Sequence, residues 1–192
     1  MNKKQNEVLG EGQIRITNPF GPSIAWAKMP SGIIEKLNNY IDKIVDDKKK
    51  SNELDHGKQL AGNVTQEFVV EKDFSEKIGW TDFLKKGVTT WVNYSTNKKV
   101  KKFELISSWI VRQFKGEYNP IHWHGGHVSG VGYLKVPKNL GKPIQNENKK
   151  QNLNGRIELI HGTKMFLSNS KLSIIPRVGN FYFFPNYMMH TV

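Results

Sequence analysis

Apolar residues recur at helical spacing in two stretches of the chain. In SGIIEKLNNYIDKIVDD, Ile33, Ile34, Leu37, Tyr40, Ile41, Ile44 and Val45 stand three and four apart, with Ser31 placed as an N-cap. In GWTDFLKKGVTTWVNYSTN, Leu84, Val88, Trp91 and Val92 make a second stripe. Both stripes read as packing surfaces. QIRITNPFGPSIAWAKM carries two short β-like runs around a Pro/Gly turn, and TQEFVVE reads as a strand between the helices. KKKSNELDHGKQLAGN reads as a polar loop that holds His56, and residues 1–12 as a flexible tail.

From residue 101 the pattern changes to short β runs: KFELISSWIVRQF, NPIHWHG, HVSGVGYLKVP, GRIELIHG, KMFLSNS, KLSIIPRV and NFYFFPNYMMHTV. Gly, Pro and Asn punctuate them, NLGKPIQNENKKQNLNG is a polar connection, and no repeat is visible. Strands at this spacing predict a sandwich or barrel. The expected chain is therefore mainly β with N-terminal helices. An α/β portion, residues 13–100, would pack on a β core spanning residues 101–192.

Composition narrows the classes. The 192 residues suit one domain, and 37% hydrophobic residues suffice for a core. With no cysteine, disulfides, zinc ribbons, iron–sulfur clusters and thiol nucleophiles are excluded. No apolar run approaches the roughly 20 residues of a membrane span, and MNKKQNEVLGEG lacks the apolar segment of a signal peptide. A soluble, cytoplasmic protein with no membrane partner is expected. The net charge of +12 suits an anionic partner, but only four of 29 basic residues are Arg. The lysines gather in polar stretches such as DDKKKSNE and NKKVKK, so a solvated basic surface is favoured over a nucleic-acid site.

The candidate chemistry lies in NPIHWHGGHVSGVGYL, which holds three of the six histidines. In a strand, residues i and i+2 share a face, so His122 and His124 project together while Trp123 turns away. Two imidazoles make half a metal site. His190, after the apolar run NFYFFPNYMM, is the best third ligand from another strand. A lone buried His is more often a hydrogen-bonded core residue, but an H-x-H pair with a distal His is less easily explained that way. Three imidazoles suit Zn, Fe, Cu or Ni. His127 and His161 carry no comparable argument, and Trp109, Trp123 and the FYFF run read as core.

SSWIVRQFKGEYNPIHWHGGHVSGVGYLKVP, GRIELIHG and IIPRVGNFYFFPNYMMHTV, within residues 107–192, resemble the phage-type 2-oxoglutarate–Fe(II) oxygenase family. The resemblance implies a double-stranded β-helix, a cupin-like jelly roll. It also implies Fe(II), with 2-oxoglutarate and dioxygen as cosubstrates, and hydroxylation of a second substrate coupled to oxidative decarboxylation. His122 and His190 match the family's ligands, and His124 falls where most 2-oxoglutarate oxygenases at large carry Asp or Glu, although an H-x-H form resembles what this subfamily shows; Glu158 is an alternative carboxylate. Tyr133 matches a tyrosine that hydrogen-bonds the cosubstrate carboxylate, and Ser129 and Val131 share its strand face. The family places an Arg or Lys anchor on the strand after the distal His, so that final strand is expected beyond Val192, with the core incomplete at its C-terminus. Arg112, Lys135 and Arg177 are weaker substitutes.

The spacing of Gly116, His122, His124, Gly179, Pro185 and His190 also fits the cupin pattern, but Val128 and Ser129 stand where its Glu belongs. The alternatives are therefore a cupin-like metalloenzyme without 2-oxoglutarate, or a non-catalytic basic β-sandwich that binds nucleic acid or a virion partner. The substrate class stays open among protein side chains, nucleobases and small metabolites.

Overall fold

The computed structural model describes residues 9–17, 21–143 and 152–192. The elements in chain order are β1 (Ile14–Thr17), β2 (Ile24–Lys28), α1 (Ser31–Asp46), α2 (Lys48–Glu53), β3 (Glu67–Val69), α3 (Lys72–Lys77), α4 (Trp80–Thr96), β4 (Trp109–Val111), β5 (Val128–Gly132), β6 (Ile157–Ile160), β7 (Lys171–Ile174), β8 (Asn180–Pro185) and β9 (Met189–Thr191). Both predicted helices form. Pro30 rather than Ser31 holds the N-cap position of α1. The expected loop KKKSNE is instead the short α2, because the Asp47 side chain accepts from the backbone N–H of Lys49 and Lys50.

All strand pairs are antiparallel. One sheet runs β1-β2-β8-β5 and a second runs β7-β6-β9, while β3 and β4 make a separate ribbon. The register sets Phe183 opposite Ala25 and Tyr182 opposite Trp26 and Val131. Alternate residues of β8 therefore serve two layers. Phe181 and Phe183 pack with Ala25, Ala27 and the helical residues Leu37, Leu84 and Trp91. Phe184 packs with Ile24 and, from the second sheet, Ile157, Leu159 and Ile174. A strand buried on both faces shows a continuous apolar run rather than alternation, which accounts for NFYFF. The chain is thus β-rich, with the layering of a β-sandwich backed by helices. On the ribbon, Phe68 and Ile110 pack on Ile41 and Ile44 of α1.

Three expected strands are shorter or missing. Only Trp109–Val111 of KFELISSWIVRQF is regular strand. NPIHWHG contributes a bridge at His122. KMFLSNS forms a tight turn in which Met165, Phe166 and Leu167 are 70, 93 and 93% exposed. Of the predicted tail, residues 1–8 lie outside the described residues, and Leu9 is buried. Residues 144–151 of the polar connection also lie outside them.

Candidate metal centre

The chain segment 119–122 runs antiparallel to β9. Asn119 and Val192 exchange backbone hydrogen bonds at 3.1 and 3.2 Å, and His122 and His190 exchange theirs at 3.0 Å. Asn186 extends this zipper: its carbonyl accepts from the His124 N–H at 3.2 Å, and its side-chain amide donates to the His124 carbonyl at 3.1 Å. The predicted parity holds, since His122 and His124 converge on His190. The ring centroids stand 4.2 Å (His122–His190), 4.9 Å (His124–His190) and 5.0 Å (His122–His124) apart. One ring nitrogen from each lies within 4.8 Å of the others, so the trio could hold a metal ion.

Backbone carbonyls orient two of the rings. His122 Nδ1 donates to the Pro120 carbonyl at 2.7 Å, and His190 Nδ1 to the Met188 carbonyl at 3.0 Å. A carbonyl only accepts, so each Nδ1 carries the proton and each Nε2 presents a lone pair. His190 Nε2 lies 3.1 Å from His124 Nε2. That is close to the roughly 3 Å expected for two nitrogens bound at about 2.1 Å to one ion at a right angle. Burial lowers the His190 pKa to about 4; the Met188 carbonyl opposes this shift, and His122 and His124 add to it. Burial and then His122 lower His124 as well. Neutral imidazoles are the metal-binding form.

The lowered pKa of His190 predicts the acid response of the metal-free protein. An unfolded His takes up its proton near pH 6.5, whereas folded His190 does so only near 4. Between these values the unfolded chain binds more protons, so stability falls as pH drops through the window. The expected slope is at most about 1.4 kcal/mol per pH unit from this group, and His190→Gln should flatten it. Urea titrations at a series of pH values between the two pKa values measure this; equal slopes for both proteins would place His190 outside the buried trio.

Other candidates separate from the trio. Leu159 is the residue paired with His190 and faces the inner layer, so Glu158 points away and binds Lys171 at 2.6 Å. Glu158 is therefore not the closing carboxylate. His127 is exposed, and neither it nor His161 joins the trio. Trp123, read as core, is 67% exposed on the outer face. Trp109, also read as core, is half-buried and meets the His124 ring edge-on at 5.4 Å, with His56 on it at 5.5 Å. No spacing in the sequence announces these contacts; the pairing of β3 with β4 brings Trp109 only to the His56 side, since the His56 N–H bonds to the Glu67 carbonyl.

Ser129 stands opposite Phe184, whose ring lies 5.0 Å from His190, and Val131 and Tyr133 pack on the same inner cluster. Burial pushes the Tyr133 hydroxyl up in pKa; it lies near the Ile157 backbone without reaching hydrogen-bond geometry. Trp26 Nε1 is likewise buried without a partner among the described residues. Two substitute anchors are engaged elsewhere: Arg112 donates to Gln66 at 2.7 Å, and Lys135 pairs with Asp42 of α1 at 2.9 Å. Burial raises the Tyr182 pKa, and the Asn180 side chain and the charge of Arg177 only partly oppose that shift. Among the described residues, no helix is long and apolar enough to cross a membrane.

Residues 107–192, which hold all three histidines, match the model of the family described as "Putative 2OG-Fe(II) oxygenase", and this match supports the family resemblance read from the sequence. No curated protein matches the chain.

Proposed function

From that match and the converging histidines, we propose that the protein is an Fe(II)- and 2-oxoglutarate-dependent dioxygenase that hydroxylates a second substrate on a jelly-roll scaffold. The observation that carries this reading is the trio itself, three imidazoles from two chain segments within 4.8 Å of one another. His122, His124 and His190 would hold the iron. With dioxygen as the oxidant, bound iron would couple the oxidative decarboxylation of 2-oxoglutarate, which leaves as succinate and CO2, to hydroxylation of the second substrate. The strand orders β1-β2-β8-β5 and β7-β6-β9, with segment 119–122 beside β9, support a jelly roll whose ligands lie between the sheets.

The chain's own part is to hold, orient and exclude water. The Pro120 and Met188 carbonyls fix two rings so that Nε2 faces inward. Phe184, Leu159 and Met188, each at most 1% exposed, keep water from the inner side of His190. Three neutral ligands leave a divalent ion's charge uncompensated, which favours a dicarboxylate ligand. In the inner layer, the Tyr133 hydroxyl and the Trp26 indole N–H are buried donors with no partner among the described residues. Such groups are costly unless something accepts from them, and a carboxylate does. Ser129 and Val131 would line the same space as Tyr133.

The test is anaerobic titration of the Fe(II)-loaded protein with 2-oxoglutarate. A visible charge-transfer band that saturates at one equivalent is expected. Stoichiometric iron with no such band would favour a cupin-like metalloenzyme that does not use 2-oxoglutarate. Tyr133→Phe should weaken 2-oxoglutarate binding by about tenfold while leaving iron content unchanged, as expected for losing one hydrogen bond to a charged group.

A further inference from the structure

The run IRIT of β1 alternates, and its two faces differ. Ile14 and Ile16 pack against the cluster of Ala25, Ala27 and Trp91, while the Arg15 guanidinium lies over the Trp26 ring at 5.3 Å. β1 also ends its sheet, pairing with β2 alone. The direction of its backbone groups follows from β2. The Met29 N–H donates to the Gly179 carbonyl, on the β8 side, at 2.7 Å. Lys28 accepts from the Gly12 N–H and donates to the Gln13 carbonyl, on the β1 side, both at 3.3 Å. Successive residues of an antiparallel strand alternate in the side to which their backbone groups turn. Trp26 and Ile24 therefore also turn to β1, and their register partners are Arg15 and Thr17. The N–H and C=O groups of Ile14 and Ile16 are left pointing to the open edge, where no described group bonds them.

Space lies against that edge. A groove of about 520 Å³ is lined by Ile14, Arg15 and Ile16 and, from α4, by Thr90 and Tyr94. A second cavity of about 280 Å³ adjoins it across Ile16 and Tyr94 and reaches Ser95. Tyr94 is 76% exposed at the wall the two share.

We propose that this groove receives an extended peptide segment of a partner protein, which adds to β1 as a further strand. Unpaired N–H and C=O groups at a sheet edge are a template for such a strand; main-chain pairing supplies affinity and alternate side chains supply specificity. Cross-strand partners point to the same side of a sheet. Residues opposite Ile14 and Ile16 would face Thr90 and Tyr94, which favours apolar side chains. The residue between them would lie beside Arg15, which favours a carboxylate. Charge points the same way, since the described lining residues include Arg15 and no acidic side chain, in a chain of net charge +12. A second copy would bring the same +12, and pairing about a twofold axis would set β1 against another Arg15. The segment that fits is therefore apolar, acidic and apolar in alternation. It engages β1 and α4 and none of the three histidines, so the site stands apart from the oxygenase reading.

The test follows the anisotropy of a fluorescein-labelled pentapeptide of alternating Val and Glu as full-length protein is added, together with amide hydrogen exchange of the protein. Saturable binding with slowed exchange at Ile14 and Ile16 is expected. Replacing Glu by Lys in the peptide, or N-methylating its Val amides, should each weaken binding by at least about tenfold, the scale of a charge-assisted hydrogen bond or of two backbone ones. Arg15→Gln should weaken the Glu peptide to a similar extent. Tyr94→Ala should weaken it while leaving the urea midpoint unchanged, because the ring is exposed. Equal affinity for the Lys peptide would overturn the proposal, as would no binding, or binding without slowed exchange at Ile14 and Ile16. Slow exchange at both amides before any peptide is added would overturn it too. The edge would then be paired already, with a second copy if the protein sediments as a dimer and with another part of this chain if it sediments as a monomer.

Discussion

His190→Ala should lose stoichiometric Fe(II) binding. His190 is 4% exposed and contributes the ring nitrogen nearest to His124. Without it the ion keeps two imidazoles from one short segment, and nothing replaces the third donor, because no described carboxylate joins the trio. Altering the outer partner of a metal ligand already costs about 10–100-fold in affinity, so removing a ligand should cost more than that. Metal content after Fe(II) loading and desalting measures this, with far-UV circular dichroism to show that β9 still pairs. His161→Ala should keep its iron, since His161 lies outside the trio. His124→Asp should keep it too, because two His and one carboxylate are a common iron set. Equal iron in His190→Ala and the unaltered protein would end the metal assignment, and loss in His124→Asp would give His124 another role.

Periodicity made part of this architecture legible. The i, i+2 rule places His122 and His124 on one face without any structure, and the apolar run before His190 marks a buried strand that can lie beside them. Facing is harder to read where it depends on cross-strand register. Glu158 and Leu159 are adjacent, and only the pairing of Leu159 with His190 shows that the leucine faces the trio. Local composition misled in KMFLSNS, whose apolar triplet looks like a strand but sits in a turn, with Leu167 at φ 64°. It also misled at Trp123, where an aromatic beside two inward histidines must face outward. α2 was readable from Asp47 before a lysine run, since a capping carboxylate overrides an otherwise loop-like composition. The His56–Trp109–His124 contacts join segments far apart in sequence, and local periodicity carries no information about such distant pairings.

Phe183→Ala should be among the most destabilising single changes in the core. The ring is 2% exposed between the first sheet and α4, 4.7 Å from Phe181 and 6.3 Å from Phe83. Truncating a buried Phe costs about 3–5 kcal/mol, a large share of the roughly 5–15 kcal/mol that holds a domain folded. The facing position on α4 is Gly87, where a Cβ would fall 2.4 Å from Phe183 Cζ. In an open helix, Gly→Ala would gain about 1 kcal/mol. Here overpacking should reverse the sign, to a loss of about 1–3 kcal/mol. The two changes should also be coupled. With the Phe183 ring removed, the methyl that Gly87→Ala adds enters the space the ring has left and partly refills it. The double variant should then be more stable than the summed single effects by about 1–2 kcal/mol, within the range of contacting residues. Urea unfolding of the four proteins, with equal m-values as the check on two-state behaviour, measures the cycle. A stabilising Gly87→Ala with additive effects would mean that α4 does not rest on β8 at this point.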